Sequence, residues 1–274
     1  MLPSSYPEGL LRTIAATSLD PAILGPICIA FPNAELLHLS IEQVERSPAH
    51  HRLGALVVDH LAFSDQGASR LAVLKATFPW LAVIAWLPAD HPQLIAELVR
   101  SRIDAVLVAA GIEDHPEHVC QVFTDAANSS VAHAVEHACQ PAPPWLAAGN
   151  IARAVASIGK IKRPTALATA LGQTAAGARS DMHAVGPFQM RVLLSVLRVT
   201  AASRRLGDSL DPIKRIARDV GYGSVVSLHH AFEWLLKSTP QDIRKGGGLW
   251  HAGERLHATV EAMRAAGGGA ASVT

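Results

Sequence analysis

The stretch from Asp211 to Pro240, DPIKRIARDVGYGSVVSLHHAFEWLLKSTP, constrains the fold of this chain more than any other. Ile213, Ile216, Ala217 and Val220 fall at i, i+3, i+4 and i+7, one face of a helix at 3.6 residues per turn. Asp211 is placed to cap that helix, with Pro212 at its first position, where a missing N–H is harmless. Gly221 and Gly223 end it, and Ser224 stands ready to cap a second helix in which Leu228, Ala231, Phe232 and Leu235 repeat the spacing. Helices this short are marginal alone, so their apolar faces must close on a common core. The geometry is a helix-turn-helix or a plain helical corner, and spacing alone leaves both open. Val225, Val226, Ser227, His229 and His230 fall on or near the outward side of the second helix.

Charge divides the chain. Up to Leu146 there are 7 Lys and Arg against 15 Asp and Glu, and beyond it 17 against 8. A basic module suits phosphate, because Lys and Arg displace condensed counterions. The acidic part would repel DNA, or lie against the basic part when the protein is idle. With 274 residues, of which 49% are hydrophobic, there is enough chain for two domains with their own cores. No run approaches 18 purely apolar residues, and MLPSSYPEGLLR lacks a basic region followed by an apolar one, so neither a membrane span nor a signal peptide is expected. Cys28, Cys120 and Cys139 are odd in number and scattered, which fits a reduced, cytoplasmic compartment.

The acidic half reads as alternating strands and helices. After a short helix and loop over residues 1–24, strands are expected at Ile27 to Phe31, Ala55 to Asp59, Ala82 to Leu87 and Ala105 to Ala110. The intervening helices run from Ala34 to Arg46, Ala68 to Thr77, Pro92 to Ser101 and Pro116 to Thr124. Short apolar strands alternating with helices predict a small, doubly wound parallel sheet covered on both faces, an α/β domain. The break Gln140-Pro141-Ala142-Pro143-Pro144 marks the boundary. The expected organisation is an α/β domain over residues 1–125, a linker over 126–150, an all-α domain over 151–245 and a partly disordered tail over 246–274. A helix from Ile151 to Ile158 opens the basic domain, and Trp250 to Ala266 forms one more.

The order I-x-x-I-A-x-x-V-G-Y, a polar turn, L-x-x-A-F and S-T-P resembles the second helix-turn-helix of AraC-type transcription regulators. Leu167-Ala168-x-x-Leu171-Gly172-x-Thr174, then Met182 and Gly186, is similar to the first, and Phe188 to Leu206 resembles the long helix between them. What the resemblance implies is an all-α domain with two such motifs, the second helix of each entering the major groove of promoter DNA. On that basis the DNA-binding candidates are Thr174, Ala175, Ala176, Arg179 and Ser180 in the first motif, and Ser224, Val225, Val226, Ser227 and His230 in the second. Arg179 is the strong hydrogen-bond reader among them, fitted to guanine, while valines and alanines suit thymine methyls. Lys237, Arg244 and Lys245 stand where backbone contacts are reasonable, and the loop cations Lys160, Lys162 and Arg163 flank the first motif. Arg191, Arg198, Arg204, Arg205, Lys214, Arg215 and Arg218 add to the basic balance.

The chain departs from that family where His230, Glu233, Trp234, Leu235 and Leu236, and Ser180 with Asp181, replace its usual cations. Glu233 would repel a phosphate, and Trp234 with Leu236 would make an apolar patch suited to protein contact. Two functions therefore stay open: a DNA-binding regulator, and an adaptor that keeps the folds but acts through protein contacts.

The acidic half is similar to a degenerate response-regulator receiver domain with one βα unit short or degraded, on the stretch LGALVVDHLAF, followed by FPWLAVIAWL and IDAVLVA. The resemblance makes Asp59 a candidate phosphoacceptor, beside the plainer reading of a strand-end or capping aspartate. Phosphoryl transfer needs a divalent cation among acidic oxygens and a steadying positive charge. Phe31-Pro32-Asn33, Trp86-Leu87-Pro88 and Leu107-Val108-Ala109-Ala110 offer neither, so the domain is expected to act without phosphorylation. His133 and His137 near Cys139, and His115, His118 and Cys120, lack the spacing of a zinc site. No nucleophile motif or glycine-rich phosphate loop is present, so no metal, cofactor or catalysis is expected. The partners implied are double-stranded promoter DNA, RNA polymerase, a second copy of the chain, and a small-molecule or protein signal.

Overall fold

The computed structural model describes residues 13–46, 53–63, 65–88, 98, 103–109, 115–140, 142–185 and 189–268. The chain divides into two compact units, Met1–Ser130 with Asp208–Leu210, and Val131–Gly207 with Asp211–Thr274.

The first unit is built on five parallel strands: β1 Thr13–Ala16, β2 Glu35–His38, β3 Ala55–Asp59, β4 Ala82–Leu87 and β5 Ala105–Val108. Their spatial order is β2-β1-β3-β4-β5, a doubly wound arrangement of the 2-1-3-4-5 type. Register follows from apolar matching, with Ala15 beside Leu56, Leu56 beside Val83, and Ala85 beside Val106. Helices α1 Pro21–Ala30, α2 Ile41–Arg46, α3 Asp65–Thr77 and α4 Pro116–Ala138 connect or follow the strands. Ile14, Ile27, Val57, Ile84, Leu107 and Phe123 form one buried cluster, and the rings of Phe31 and Phe123 lie 4.9 Å apart.

Several expectations for this unit are corrected. Ile27 to Phe31 is not a strand, because α1 covers Pro21–Ala30. Asp20 accepts a hydrogen bond from the Ala22 amide at 2.9 Å, Pro21 sits at the first helical position, and this start signal carries the helix through the apolar run. Residues 13–16 of the supposed N-terminal helix and loop are the buried strand β1, whose four residues, two of them alanine, are too few to announce themselves. Ala34 to Arg46 is not one helix, since Glu35–His38 is the edge strand β2 and only Ile41–Arg46 is helical. The sheet thus has five strands, one more than the four expected. The expected helix Pro92 to Ser101 falls, Leu98 apart, outside the described residues. Helix α4 passes Thr124 and runs to Ala138, so the first part of the expected linker is helical.

The second unit is helical: α5 Ala148–Ala156, α6 Pro164–Ala170, α7 Ala175–Val185, α8 Met190–Asp208, α9 Ile213–Asp219, α10 Val225–Leu236, α11 Pro240–Lys245 and α12 Leu249–Gly268. Leu167, Leu171, Met182, Leu193, Leu197, Ile216, Val220, Leu228, Phe232, Leu235, Ile243 and Leu256 are buried, the helical spacing read from the sequence turned inward. Helix α5 starts at Ala148 and ends at Ala156, a few residues ahead of the expected span. Thr239 and Asp242 make a reciprocal capping box at the head of α11. No helix among the described residues is long and apolar enough to cross a membrane.

Candidate nucleic-acid interface

Each of two short helical pairs in the second unit is closed by glycine and reopened by a hydroxyl. Between α6 and α7, Gly172 takes φ +76°, and the Thr174 hydroxyl accepts from the Gly177 amide at 3.0 Å. Between α9 and α10, Gly221 takes φ +90°, and the Ser224 hydroxyl accepts from the Ser227 amide at 3.1 Å. Asp211 does not cap α9. Pro212 occupies the N-cap, and the Asp211 carboxylate pairs instead with Arg205 at 3.3 Å and Arg215 at 3.2 Å.

The outward faces carry most but not all of the residues the sequence names, since Val225 and His229 are half-buried. Thr174, just ahead of α7, and Ala175, Ala176, Arg179 and Ser180 on it are exposed, as are Ser224, Val226, Ser227 and His230 around α10. Lys237 is exposed at the left-handed end of α10, φ 49°, and Lys245 is exposed on α11. Arg244 is half-buried, and its guanidinium donates to the Asp211 carbonyl, so one side of it is committed inside the fold.

The basic surplus is smaller at the surface than in the composition. Arg204 is buried, and Arg205 and Arg215 both pair with Asp219 as well as Asp211. Lys160, Lys162, Arg163, Arg191, Lys214 and Arg218 remain exposed, although Arg218 approaches Asp219 at 3.4 Å. Asp181, one of the two acids expected on the outer faces, is held within the unit, where its carboxylate accepts from the Trp145 indole N–H at 2.8 Å. Leu236 is 1% exposed and belongs to the core, so it forms no patch with Trp234, which is 44% exposed.

One contact that sequence reasoning missed holds the two pairs to the long helix. Arg198 of α8 donates to the Ile161 carbonyl at 2.7 Å, just ahead of α6, and lies 5.4 Å over the Tyr222 ring, in the turn before α10. A Cβ at Gly221 would meet that guanidinium at 3.1 Å. Burial pushes the Tyr222 phenol up to about 12, against the smaller opposing pull of Arg198. Because the folded state holds the phenol neutral, its contribution to stability is intact below the ordinary value near 10 and is lost as pH rises towards 12. An absorbance titration should therefore show a late phenolate step that Tyr222→Phe removes. If that variant keeps the same late step, Tyr222 is not its source.

In the first unit, β1 and β3 bracket the point where the strand order reverses, the usual ligand cleft of an open α/β sheet. Asp59 ends β3 there and is buried. Its amide donates to the Thr17 hydroxyl at 2.9 Å, and its carboxylate accepts from the Leu61 amide at 3.3 Å and lies 2.5 Å from His60 Nδ1. The chain leaving β1 is Thr17-Ser18-Leu19-Asp20, which replaces Phe31-Pro32-Asn33 as the first strand end, and Asp20 is engaged as the α1 cap. Among the described residues no group of three or more His, Cys, Asp and Glu is placed to hold a metal ion.

No family model matches the chain, and no curated protein matches it. Among solved structures, the crystal structure of full-length FixJ from B. japonicum is 12% identical over 76% of this chain and 97% of its own, with a TM-score of 0.32. That likeness is too slight to carry fold or function across.

Proposed function

We propose that the chain is a transcription regulator of AraC type. The helical unit docks two helix-turn-helix motifs, α6 with α7 and α9 with α10, on double-stranded promoter DNA. The observation that carries this reading is the pair of exposed second-helix faces, each opened by a capping hydroxyl after a positive-φ glycine. The surrounding basic composition supports it, 17 Lys and Arg against 8 Asp and Glu beyond Leu146. Its work is binding without chemistry, in the cytoplasm.

The α/β unit acts without phosphorylation, as a sensor of a small-molecule or protein signal, a partner-binding surface or a dimerisation module, and RNA polymerase is a further partner. Support for phosphorylation independence comes from Asp59, whose carboxylate is engaged by the Leu61 amide and by His60. Exposure of Trp234 supports the second reading, an adaptor acting through protein contacts.

The test is retention of pooled genomic duplex fragments by the full-length protein at two salt concentrations. A defined motif should be enriched, with a log–log salt slope steeper than about −4, since several exposed cations would each displace a counterion. Arg179→Ala should cost about 1–3 kcal/mol at one guanine position and relax the preference there. A folded protein that retains no fragment at low salt is the result that favours the adaptor.

A further inference from the structure

Resting on the helix-turn-helix reading above, we infer that α10 reads thymine by its 5-methyl group, through Val226, while hydrogen-bonded base reading is left to Arg179 of α7. Helix α10, VVSLHHAFEWLL, contains no lysine or arginine. Its first-turn polar groups are engaged with each other: Ser224 accepts from the Ser227 amide at 3.1 Å, and the two hydroxyls lie 2.9 Å apart. Val225 is half-buried. His230 Nδ1 lies 3.9 Å from the Glu233 carboxylate, both of them exposed, so the next turn outward presents an imidazole with an acid beside it.

What remains at the leading end is the isopropyl group of Val226, 63% exposed at the second position of the helix. The N-terminal residues of an entering helix are the ones that meet base edges. Thymine alone offers a methyl group there, and an apolar side chain recognises it by burying both surfaces. The two motifs thus divide the labour: a guanidinium in one, a methyl contact in the other.

The experiment combines selection with removal of the methyl. The full-length protein selects sites from a random duplex pool at low salt, and the positions whose preference changes in Val226→Ala are separated from those that change in Arg179→Ala. Each thymine is then replaced by deoxyuridine, which keeps the pairing and deletes only the methyl. At the Val226-dependent position, deoxyuridine should weaken wild-type binding about fourfold, the worth of one methylene-sized group. Val226→Ala should lose a similar factor on thymine and nothing further on deoxyuridine, and deoxyuridine outside the positions contacted by the two motifs should be neutral. Because Val226 is exposed, the substitution leaves the fold intact. A selected motif that Val226→Ala does not alter, or one indifferent to deoxyuridine, overturns the methyl reading and leaves DNA binding standing. Failure to retain any duplex overturns both.

Discussion

Asp104→Asn is expected to cost the α/β unit about 3–5 kcal/mol, because it strands a buried ammonium. Lys75 Nζ, on α3, donates to Asp104 Oδ2 at 2.8 Å and to the Pro79 and Leu81 carbonyls at 3.3 and 2.8 Å. The same carboxylate oxygen accepts from the Val83 amide at 2.8 Å, and the two side chains are 2% and 0% exposed. The pair therefore ties a helix to the amino-terminal ends of β4 and β5, opposite the end where open sheets bind ligands. Lys75→Met should cost a similar amount for the opposite reason, an uncompensated carboxylate. The double change Lys75→Met with Asp104→Leu should recover most of the loss, since a buried pair is often no more stable than well-packed apolar side chains. Hydrogen exchange of the β4 amides during urea unfolding reads this unit directly. If Asp104→Asn protects β4 as well as wild type does, the pair contributes little.

How much of this was legible in the sequence depended on whether burial had one period or two competing ones. Strands β3, β4 and β5 announced themselves as short apolar runs between turns. The run Ile27 to Phe31 has the same look, and periodicity cannot tell a buried strand from a buried helix turn. Asp20-Pro21, six residues upstream, carried the deciding signal. Strand β1 had no such signal, because Ala15 and Ala16 are weakly apolar and the strand owes its place to neighbours on both sides. In the helical unit the spacing of Ile216, Val220, Leu228 and Phe232 and the cap Ser224 were readable locally. Arg198, by contrast, looked like one more phosphate-binding cation. Its contacts with Ile161 and Tyr222 span 37 and 24 positions, so only the folded chain shows the residue turned inward. Lys75 and Asp104, 29 positions apart, escaped for the same reason.

The second large effect is expected at Gly248, in the turn between α11 and α12. There φ is +66°, and a Cβ would stand 2.4 Å from Gly207 Cα, 2.6 Å from Gly207 N and 2.7 Å from the Ser203 carbonyl oxygen. All three are backbone or Cα atoms of α8, so no side-chain rotation relieves the clash. Gly248→Ala combines a left-handed conformation, worth roughly 1–2 kcal/mol, with overpacking worth about 1–3 kcal/mol. The loss should appear as a fall in the urea midpoint of the helical unit. Gly207→Ala meets the same crossing from the other side, with Gly248 Cα at 2.9 Å, and should be damaging without any φ penalty. Gly149, inside α5, has nothing within 4 Å of its missing Cβ. Gly149→Ala should therefore stabilise by roughly 0.5–1 kcal/mol, since alanine gives up less entropy in a helix. The comparison of Gly207 with Gly149, both helical and free of a φ penalty, isolates the crossing from the general effect of replacing glycine: equal responses at these two would mean that α8 and the turn do not meet. Because α8 also carries Arg198 between the two helical pairs, the proposed DNA reading, in which α7 and α10 are held at a fixed spacing, predicts that loosening the far end of α8 weakens duplex retention before the unit unfolds.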